Sequence, residues 1–395
     1  MGSQPSTGGD VLKVLATLIV SFVALVVGLK IDKPLPFVSW AAGCAAVGWI
    51  LSWKFPRLQD EIWGAFARRP RLSSLLAAVL LALFPVIFVG VFHQPYWVHA
   101  ATVAGLYVCL ALGLNIVVGL AGLLDLGFVA FFAIGAYIAA LFSLEFKEFW
   151  WSAWVAIPLC AAGASLFGVT LGAPTLRLRG DYVAIVTLGF GEIIRIILNN
   201  WDSVTNGPKG LFGIPAPRIG SWSFASGISI GGLSLGSSSA YYYATLLLAF
   251  VVAALASRLD DSSIGRAWRA IREDELAAGA MGIHARNYKL LAFACGAASA
   301  GVAGLLFAHL QTFVSPESFV FMESAWILCM VVLGGMGSIP GVVLGAVTLS
   351  ILPEKLRDFE EYRMLVFGAC LVLFMTLRPQ GLIPARRHGS ARGPG

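Results

Sequence analysis

The sequence predicts an all-α fold, a polytopic bundle of transmembrane helices, and three observations support this prediction. The chain has 395 residues, of which 58% are hydrophobic and only 12% charged, with a mean hydropathy of +0.83. Soluble proteins average about 25% charged residues, and a single soluble core stops growing near roughly 250–300 residues. The apolar residues recur along almost the whole chain in stretches of about 20, the length that crosses a bilayer as a helix. They are therefore expected to face lipid.

The apolar stretches divide into about ten candidate spans. They cover roughly residues 11–29, 37–53, 73–92, 97–119, 123–142, 150–171, 181–199, 240–256, 288–312 and 361–377. A further stretch, 323–352, is interrupted by Gly334-Gly-Met-Gly-Ser-Ile-Pro-Gly341. Because glycine and proline end helices, this stretch is predicted to form a hairpin of two short spans or a re-entrant pair.

The distribution of positive charge predicts the orientation. If the N-terminus is cytoplasmic, the cytoplasmic loops carry more than twice as many Lys and Arg residues as the opposite loops. Positive residues accumulate on the cytoplasmic side, so both termini are expected there. This bias accounts for the net charge of +6 without a nucleic-acid partner. The longest external loop, about 200–239, is rich in Gly, Ser and Pro and is predicted to form a small ordered cap.

Several classes of membrane protein have no support in the sequence. The chain contains neither a G-x-x-x-x-G-K-[ST] phosphate loop nor an H-E-x-x-H metal motif. Its five histidines are scattered, and a lone histidine near a span end is expected to be an interfacial or packed residue rather than a ligand. The six cysteines all lie inside apolar runs and are expected to be free. We therefore expect no catalytic residue, no metal and no cofactor.

The loop 257–287 carries the most informative pattern. Ser262 or Ser263 can cap the start of a helix. From that start, three apolar residues fall on one helical face: Ile264, Trp268 and Ile271. The pattern predicts an amphipathic helix between two spans.

The rest of this loop contains charged residues followed by residues with small side chains. Arg269 and Glu273 are four residues apart and are expected to pair. The residues Leu276-Ala-Ala-Gly279 would let another backbone approach closely. A helix over 262–282 could dock a cytoplasmic partner or lie on anionic lipid, and the residues alone leave both interpretations open.

At this loop the sequence resembles a known family. The run Glu275-Leu-Ala-Ala-Gly-Ala-Met-Gly282 looks like the EAA-type coupling loop of ABC importer permeases, although Leu276 departs from a strict Glu-Ala-Ala. The wider stretch, Gly265 to Gly304, resembles the M-type permease of high-affinity branched-chain amino acid (Liv) ABC transporters. Further blocks agree in family order over roughly 97–384: Leu112 to Gly127, Leu176 to Tyr182, Thr187 to Glu192, Asn206 to Pro208, Val314 to Ser318, Val331 to Gly337 and Arg378 to Pro384.

The resemblance implies a permease subunit of the cell inner membrane that performs no chemistry itself. It would pair with a second homologous permease, two cytoplasmic ABC ATPase subunits and an extracytoplasmic amino acid binding protein. Residues 1–71 look like an N-terminal extension with two transmembrane helices, the first of them retained rather than cleaved, and 72–395 would be the permease core. The coupling contacts to the ATPase would be Arg266, Arg269, Glu273, Glu275, Ala278 and Gly282.

Alternatives to this function stay open at the sequence level. The same machinery could import urea or short amides. A stand-alone ion-coupled amino acid carrier would act without a partner and would leave the 262–282 helix without a role. A membrane-anchored scaffold does not account for the glycine-broken spans that contain polar residues.

Polar residues at membrane depth are candidates for the substrate path, because they are costly there. The candidates are Asn115, Asp125, Glu192, Arg195, Gly334 and Gly335. Each also has a structural interpretation: Glu192 and Arg195 could neutralise each other, Asp125 could cap the following helix, and Asn115 could bond across helices. A broken helix at 113–127 or 334–341 would offer backbone groups to a zwitterion.

A small-residue face is expected on span 288–312. Gly296, Gly301 and Gly304 lie there with neighbouring alanines, and such faces allow close helix packing in membranes. Packing within this chain and packing against a partner permease are both consistent with the sequence.

Overall fold

The computed structural model describes residues 79–91, 94–146, 149, 152–175, 181–220, 222–230, 233–355, 368, 372, 376 and 381–383. The predicted spans 11–29 and 37–53 lie outside the described residues, as does nearly all of 361–377. The described helices are α1 (Val79–Val89), α2 (Pro95–Leu114), α3 (Val129–Glu145), α4 (Ser152–Thr175), α5 (Asp181–Asn200), α6 (Asp202–Thr205), α7 (Ser237–Asp261), α8 (Ser263–Glu273), α9 (Glu275–Ala280), α10 (Ala285–Gln311), α11 (Phe321–Gly334) and α12 (Ile339–Lys355).

The chain forms two compact units. The first comprises Met1–Val98 and Leu352–Met364, and its described part is apolar helix with Phe88 fully buried. The hydroxyl of Tyr96 donates a hydrogen bond to the carboxylate of Glu354 in this unit. The second unit comprises His99–Ile351 and Leu365–Gly395 and holds every other feature described below.

Helix α10 is the centre of the second unit, where it packs against α3 and α4. The approach is close because glycines face backbone: a β-carbon on Gly301 would lie 2.6 Å from the carbonyl oxygen of Cys160. One on Gly304 would overlap the carbonyl oxygen of Phe132, and one on Gly296 would lie 3.0 Å from that of Gly113. The predicted small-residue face therefore packs within this chain.

Five described helical segments are long and apolar enough to cross a membrane. They are Pro95–Leu120, Ala153–Thr175, Tyr182–Asn200, Ser237–Asp261 and Ala285–Gln311. Each overlaps a predicted span, so the all-α membrane fold is confirmed. The predicted span 123–142 starts too early, because residues 121–128 are not helical and α3 begins only at Val129.

The predicted break in the apolar stretch 323–352 is present as a turn between α11 and α12. Gly335 and Gly337 have φ angles of 114° and 85°, which favour glycine. Helix α11 has 14 residues, so at about 1.5 Å per residue it is shorter than the hydrocarbon core of about 30 Å. Its last carbonyls accept hydrogen bonds from a distant segment, Leu382 N to Leu333 O at 2.8 Å and Ile383 N to Gly334 O at 3.1 Å.

The predicted ordered cap consists of short elements between α5 and α7. The strands are β1 (Leu211–Phe212), β2 (Arg218–Ile219), β3 (Trp222–Ser223), β4 (Ile228–Ile230) and β5 (Leu233–Leu235), with β6 (Phe313–Val314) following α10. The antiparallel pairs are β1–β6, β2–β3 and β4–β5. Phe212 and Phe313 stack across the first pair with ring centroids 4.4 Å apart, so the cap is joined to the end of α10.

Candidate functional site

The loop 257–287 folds as two helices where the sequence predicts one. Ser262 caps α8, as predicted, by accepting hydrogen bonds from Ile264 N at 3.1 Å and Gly265 N at 3.4 Å. Asp274 then breaks the helix, with an extended backbone at φ −154° and ψ 110°. Its carboxylate caps α9 instead, accepting from Leu276 N at 2.9 Å. The prediction of one continuous helix is wrong because Asp274 is an effective N-cap residue.

The predicted apolar face of α8 packs against the chain itself. Trp268 is 0% exposed and lies in a cluster with Ile116, Leu120 and Ala292, against which Ile264 also packs. Its indole nitrogen donates to the carbonyl oxygen of Tyr288 at 2.7 Å. Because this face is covered by protein, it is not available to a lipid surface. The burial therefore excludes this face of α8 as a lipid-binding surface.

The predicted pairing of Arg269 with Glu273 is wrong. Arg269 Nη1 instead lies 2.7 Å from Asp260 Oδ1, near the end of α7. Arg266 also bonds back to this helix end, donating to the carbonyl oxygen of Asp261 at 3.1 Å. Two predicted coupling residues thus fix α8 to a transmembrane helix.

A third tie joins α9 to α10. Lys289 Nζ lies 2.7 Å from Glu275 Oε1. The lysine side chain is 8% exposed and that of the glutamate 39%, so a nearly buried ammonium forms an ion pair with a predicted coupling residue. Breaking a pair with one buried member costs more than breaking a surface pair.

The outward surface of α9 and the following turn is not covered by the part of the chain that the structure describes. Leu276 is 71% exposed and Met281 84%, and a β-carbon on Gly279 or Gly282 would have no described neighbour within 4 Å. Ala278, by contrast, is buried. We call Leu276, Gly279, Met281 and Gly282 the outer surface; two apolar side chains and two glycines leave it open to another protein.

The two predicted broken segments meet each other. Asn115 begins a π-helical stretch, Asn115–Leu120, at the end of α2, and its Oδ1 accepts a hydrogen bond from Gly337 N at 2.8 Å. A β-carbon on Gly119 would overlap the Asn115 side chain, so glycine is needed there. The prediction that Asn115 bonds across the bundle is confirmed, and its partner is the turn between α11 and α12.

Arg272 is a functional candidate that the sequence interpretation missed. Its guanidinium donates to the carbonyl oxygen of Gly119, at the end of the π-helical stretch. Its side chain also packs on Gly122, where a β-carbon would lie 2.7 Å from Arg272 Cγ. The two residues joined by this hydrogen bond are 153 positions apart, and no local pattern signals such a contact.

Asp125 does not cap α3, contrary to the prediction. Its Oδ1 accepts from Gly127 N at 2.9 Å, and α3 begins after Phe128, which makes no side-chain cap. The residue is 1% exposed, and its Oδ2 has no hydrogen-bond partner among the described residues. This buried carboxylate remains a candidate for the path.

The backbone around Asp125 is less available than the sequence suggests. Leu126 N donates to Thr187 Oγ1 at 3.0 Å and Val129 N to Ser324 Oγ at 3.0 Å. Ala130 N is bonded to the carbonyl oxygen of Gly127. Since these N–H groups already have partners, they do not form a free site for a carboxylate.

Glu192 and Arg195 form the self-neutralising pair that the sequence predicts, with Arg195 Nε 3.0 Å from Glu192 Oε1. Their side chains remain 39% and 32% exposed. Ile193 and Ile196, beside them on α5, are 49% and 50% exposed. The pair therefore lies on a surface that the described chain does not cover.

Two further polar groups are hydrogen-bonded within the second unit. His309 is fully buried, and its Nε2 lies 3.1 Å from Ser143 Oγ, so it is packed as predicted. Tyr107, missed by the sequence interpretation, donates to Glu323 at 2.9 Å. Cysteines 109, 160, 295 and 329 are free, and the described residues contain no group of three or more metal-ligating side chains.

Comparisons with known proteins point in one direction. Residues 96–375 match the family described as "Branched-chain amino acid transport system / permease component". The chain is 46% identical over 316 residues to the high-affinity branched-chain amino acid transport system permease protein LivM of Escherichia coli K12, covering 75% of this chain and 73% of that protein. It is 27% identical to the LivH permease protein of Salmonella typhimurium, covering 72% and 93%. No solved structure matches the chain.

Proposed function

The chain belongs to the family of permease components of branched-chain amino acid transport systems, and from this premise we propose its place in an importer. It forms the translocation path of an ATP-driven importer for leucine, isoleucine and valine, by alternating access. The observation that carries the proposal is the arrangement of α8 and α9, the helices over 263–280, which we call the α8–α9 unit. This unit is tied to α7 and α10, while Leu276 and Met281 are exposed on its outer surface.

The proposed partners follow from the relatives and from this surface. The chain is similar both to a LivM and to a LivH permease protein, which supports a pair of homologous permeases. Two cytoplasmic ABC ATPases would hydrolyse the ATP, one of them docking on the outer surface, and an extracytoplasmic binding protein would deliver the amino acid. The permease itself performs no chemistry.

The proposed topology places the chain in the cell inner membrane. About ten spans and the α11–α12 hairpin lie in the membrane, and both termini lie in the cytoplasm. Residues 1–71 form an N-terminal extension and 72–395 the permease core. The five described spans and the charge bias of the loops support this arrangement.

Glu192 and Arg195 are proposed to face the second permease across the path. A charged residue inside a transmembrane helix is costly when it faces lipid, and this pair lies in the second half of α5 with both side chains partly exposed. A partner subunit with a polar path would lower that cost. Asn115, Asp125, Gly334 and Gly335 would lie deeper in the same subunit.

A photo-crosslinker attached at Ile193→Cys is expected to capture the second permease in membranes. Ile193 is adjacent to Glu192 and is 49% exposed. The matched control is Leu247→Cys on α7, which is 65% exposed, with no charged residue within four positions. The unsubstituted chain gives the background from native cysteines. Equal capture by both variants, or labelling of Ile193→Cys by lipid alone, would contradict the proposed orientation of α5.

Uptake of radiolabelled leucine tests the proposed function directly. Proteoliposomes would contain this chain, its second permease and both ATPases, with the binding protein outside and ATP inside. We expect uptake that requires ATP and is competed by isoleucine and valine but not by urea or acetamide. Competition by urea would indicate the alternative cargo. Leucine uptake by this chain alone, driven by an ion gradient without ATP, would make the ion-coupled carrier the better explanation.

A further inference from the structure

The π-helical stretch Asn115–Leu120 lies between the α8–α9 unit and the hairpin turn. π-Helical turns are rare and occur frequently at functional sites. Here the stretch is fully buried, and Ala121 N bonds to the carbonyl oxygen of Ile116, five residues earlier. The last carbonyl groups of a helix have no partner within it, and one of them here, that of Gly119, accepts from Arg272.

Contacts link α8 to this stretch through both side-chain packing and a charge-assisted hydrogen bond. Trp268 lies in one buried cluster with Ile116 and Leu120, and Arg272, one turn later, donates to the Gly119 carbonyl oxygen. Hydrogen bonds that involve an ionised donor are roughly twice as strong as neutral ones. A displacement of α8 would therefore move the end of the π-helical stretch with it.

The other end of the stretch holds the hairpin turn. Asn115 Oδ1 accepts from Gly337 N across 222 residues, and the side chain passes where Gly119 has no β-carbon. The turn itself is built on Gly335 and Gly337 at positive φ, so it has little side-chain bulk to resist a shift. One continuous series of contacts therefore runs from Arg272 through Gly119 and Asn115 to Gly337.

We propose that Arg272 is a positioning residue for transport: its hydrogen bond to Gly119 transmits movement of α8 through the π-helical stretch and Asn115 to the α11–α12 turn. This inference rests on the proposed function, because it assigns a route to a movement that the ATPases would start. It adds a residue outside the coupling contacts that the sequence predicts. Arg272 acts by fixing the π-helical stretch and not by touching the transported molecule.

The test measures ATP hydrolysis and leucine uptake in parallel in the complete reconstituted transporter. For Arg272→Ala we expect uptake per ATP hydrolysed to fall at least tenfold. The amount of assembled transporter and the rate of basal hydrolysis should stay within twofold of the unsubstituted transporter, and the melting temperature should stay close to its value. Arg272→Lys retains a donor and a charge, and should restore part of the ratio. Arg258→Ala, which removes another exposed arginine near the end of α7, is the matched control and should leave the ratio unchanged.

A second variant tests the route. Asn115→Ala should lower the same ratio, and the Arg272→Ala, Asn115→Ala double variant should be no worse than the stronger single one, because residues that act through one contact chain are not additive. An unchanged ratio in Arg272→Ala would overturn the inference. An equal fall of hydrolysis and uptake in this variant would also overturn it, because that result would place Arg272 in ATPase docking. Additive effects of the two substitutions in the double variant would overturn it as well. Absence of ATP-dependent uptake in the unsubstituted transporter would instead refute the proposed function.

Discussion

Replacing Leu276 and Met281 with glutamate is expected to abolish ATP-driven leucine uptake, with a loss of at least 100-fold. The two side chains are 71% and 84% exposed and provide the apolar part of the outer surface. Interface cores are depleted of charged residues and enriched in methionine, and a few residues carry most of the binding energy. At about 1.4 kcal/mol for each tenfold change in affinity, two buried carboxylates without partners are sufficient for this loss.

The measurement is co-purification of the ATPases with the permease, followed by uptake in proteoliposomes. The control exchanges the same positions for apolar residues of similar size, Leu276→Met with Met281→Leu, which should retain binding and uptake. A charge reversal at an exposed site near the end of α7, Arg258→Glu, controls for a general electrostatic effect. If the double glutamate variant still co-purified with the ATPases and took up leucine within twofold of the unsubstituted protein, the docking role of this surface would be excluded.

The sequence predicts best what depends on local pattern. The α8 face with Trp268 and Ile271 follows from the helical period, and the Ser262 cap from the chemistry of its side chain. Long apolar runs identify the spans because the bilayer sets their length. The glycine break after Gly334 was also predictable, since that backbone cannot continue a helix through positive φ values.

The sequence predicts least well what depends on tertiary contact. Arg269 has a suitable partner four residues later, but folding brings Asp260 nearer. A rule based on helical spacing does not predict a contact with a different helix. Asp274 is different, because aspartate is a preferred N-cap residue and the break between α8 and α9 could have been recognised. The contact of Arg272 with Gly119 carries no local signal, because it exists only after α8 has packed on the π-helical stretch.

The prediction for Asp125 failed because the start of α3 was placed too early. Gly122 has a φ angle of 72°, and Asp125 folds back on Gly127 N, so residues 121–128 stay non-helical although they are largely apolar. Within a membrane such a segment requires internal partners for its backbone groups. Thr187 provides one of them, at Leu126 N, and Ser324 does the same for Val129 N at the start of α3. Both lie far away in the sequence.

Replacing Gly135 with leucine is expected to prevent folding of the permease core. A β-carbon on Gly135 would overlap both the carbonyl oxygen and the α-carbon of Gly301 on α10, so α3 and α10 would have to separate. Overpacking a well-filled core typically costs about 1–3 kcal/mol, and here the clash is with backbone, which cannot rotate away. The full chain should yield little monodisperse protein in detergent, measured by size-exclusion chromatography before and after mild heating.

Gly189→Leu on α5 is the matched control, because a β-carbon at Gly189 would have no neighbour within 4 Å among the described residues. Both substitutions add the same side chain to a glycine in an apolar helix, so helix propensity and hydrophobicity change alike and only the close approach of α10 differs. In a membrane, helices associate through packing rather than through the exclusion of water, and the loss of one backbone contact therefore removes much of the attraction between α3 and α10. Monodisperse Gly135→Leu protein as stable as Gly189→Leu would show that the α3–α10 contact does not hold the core together.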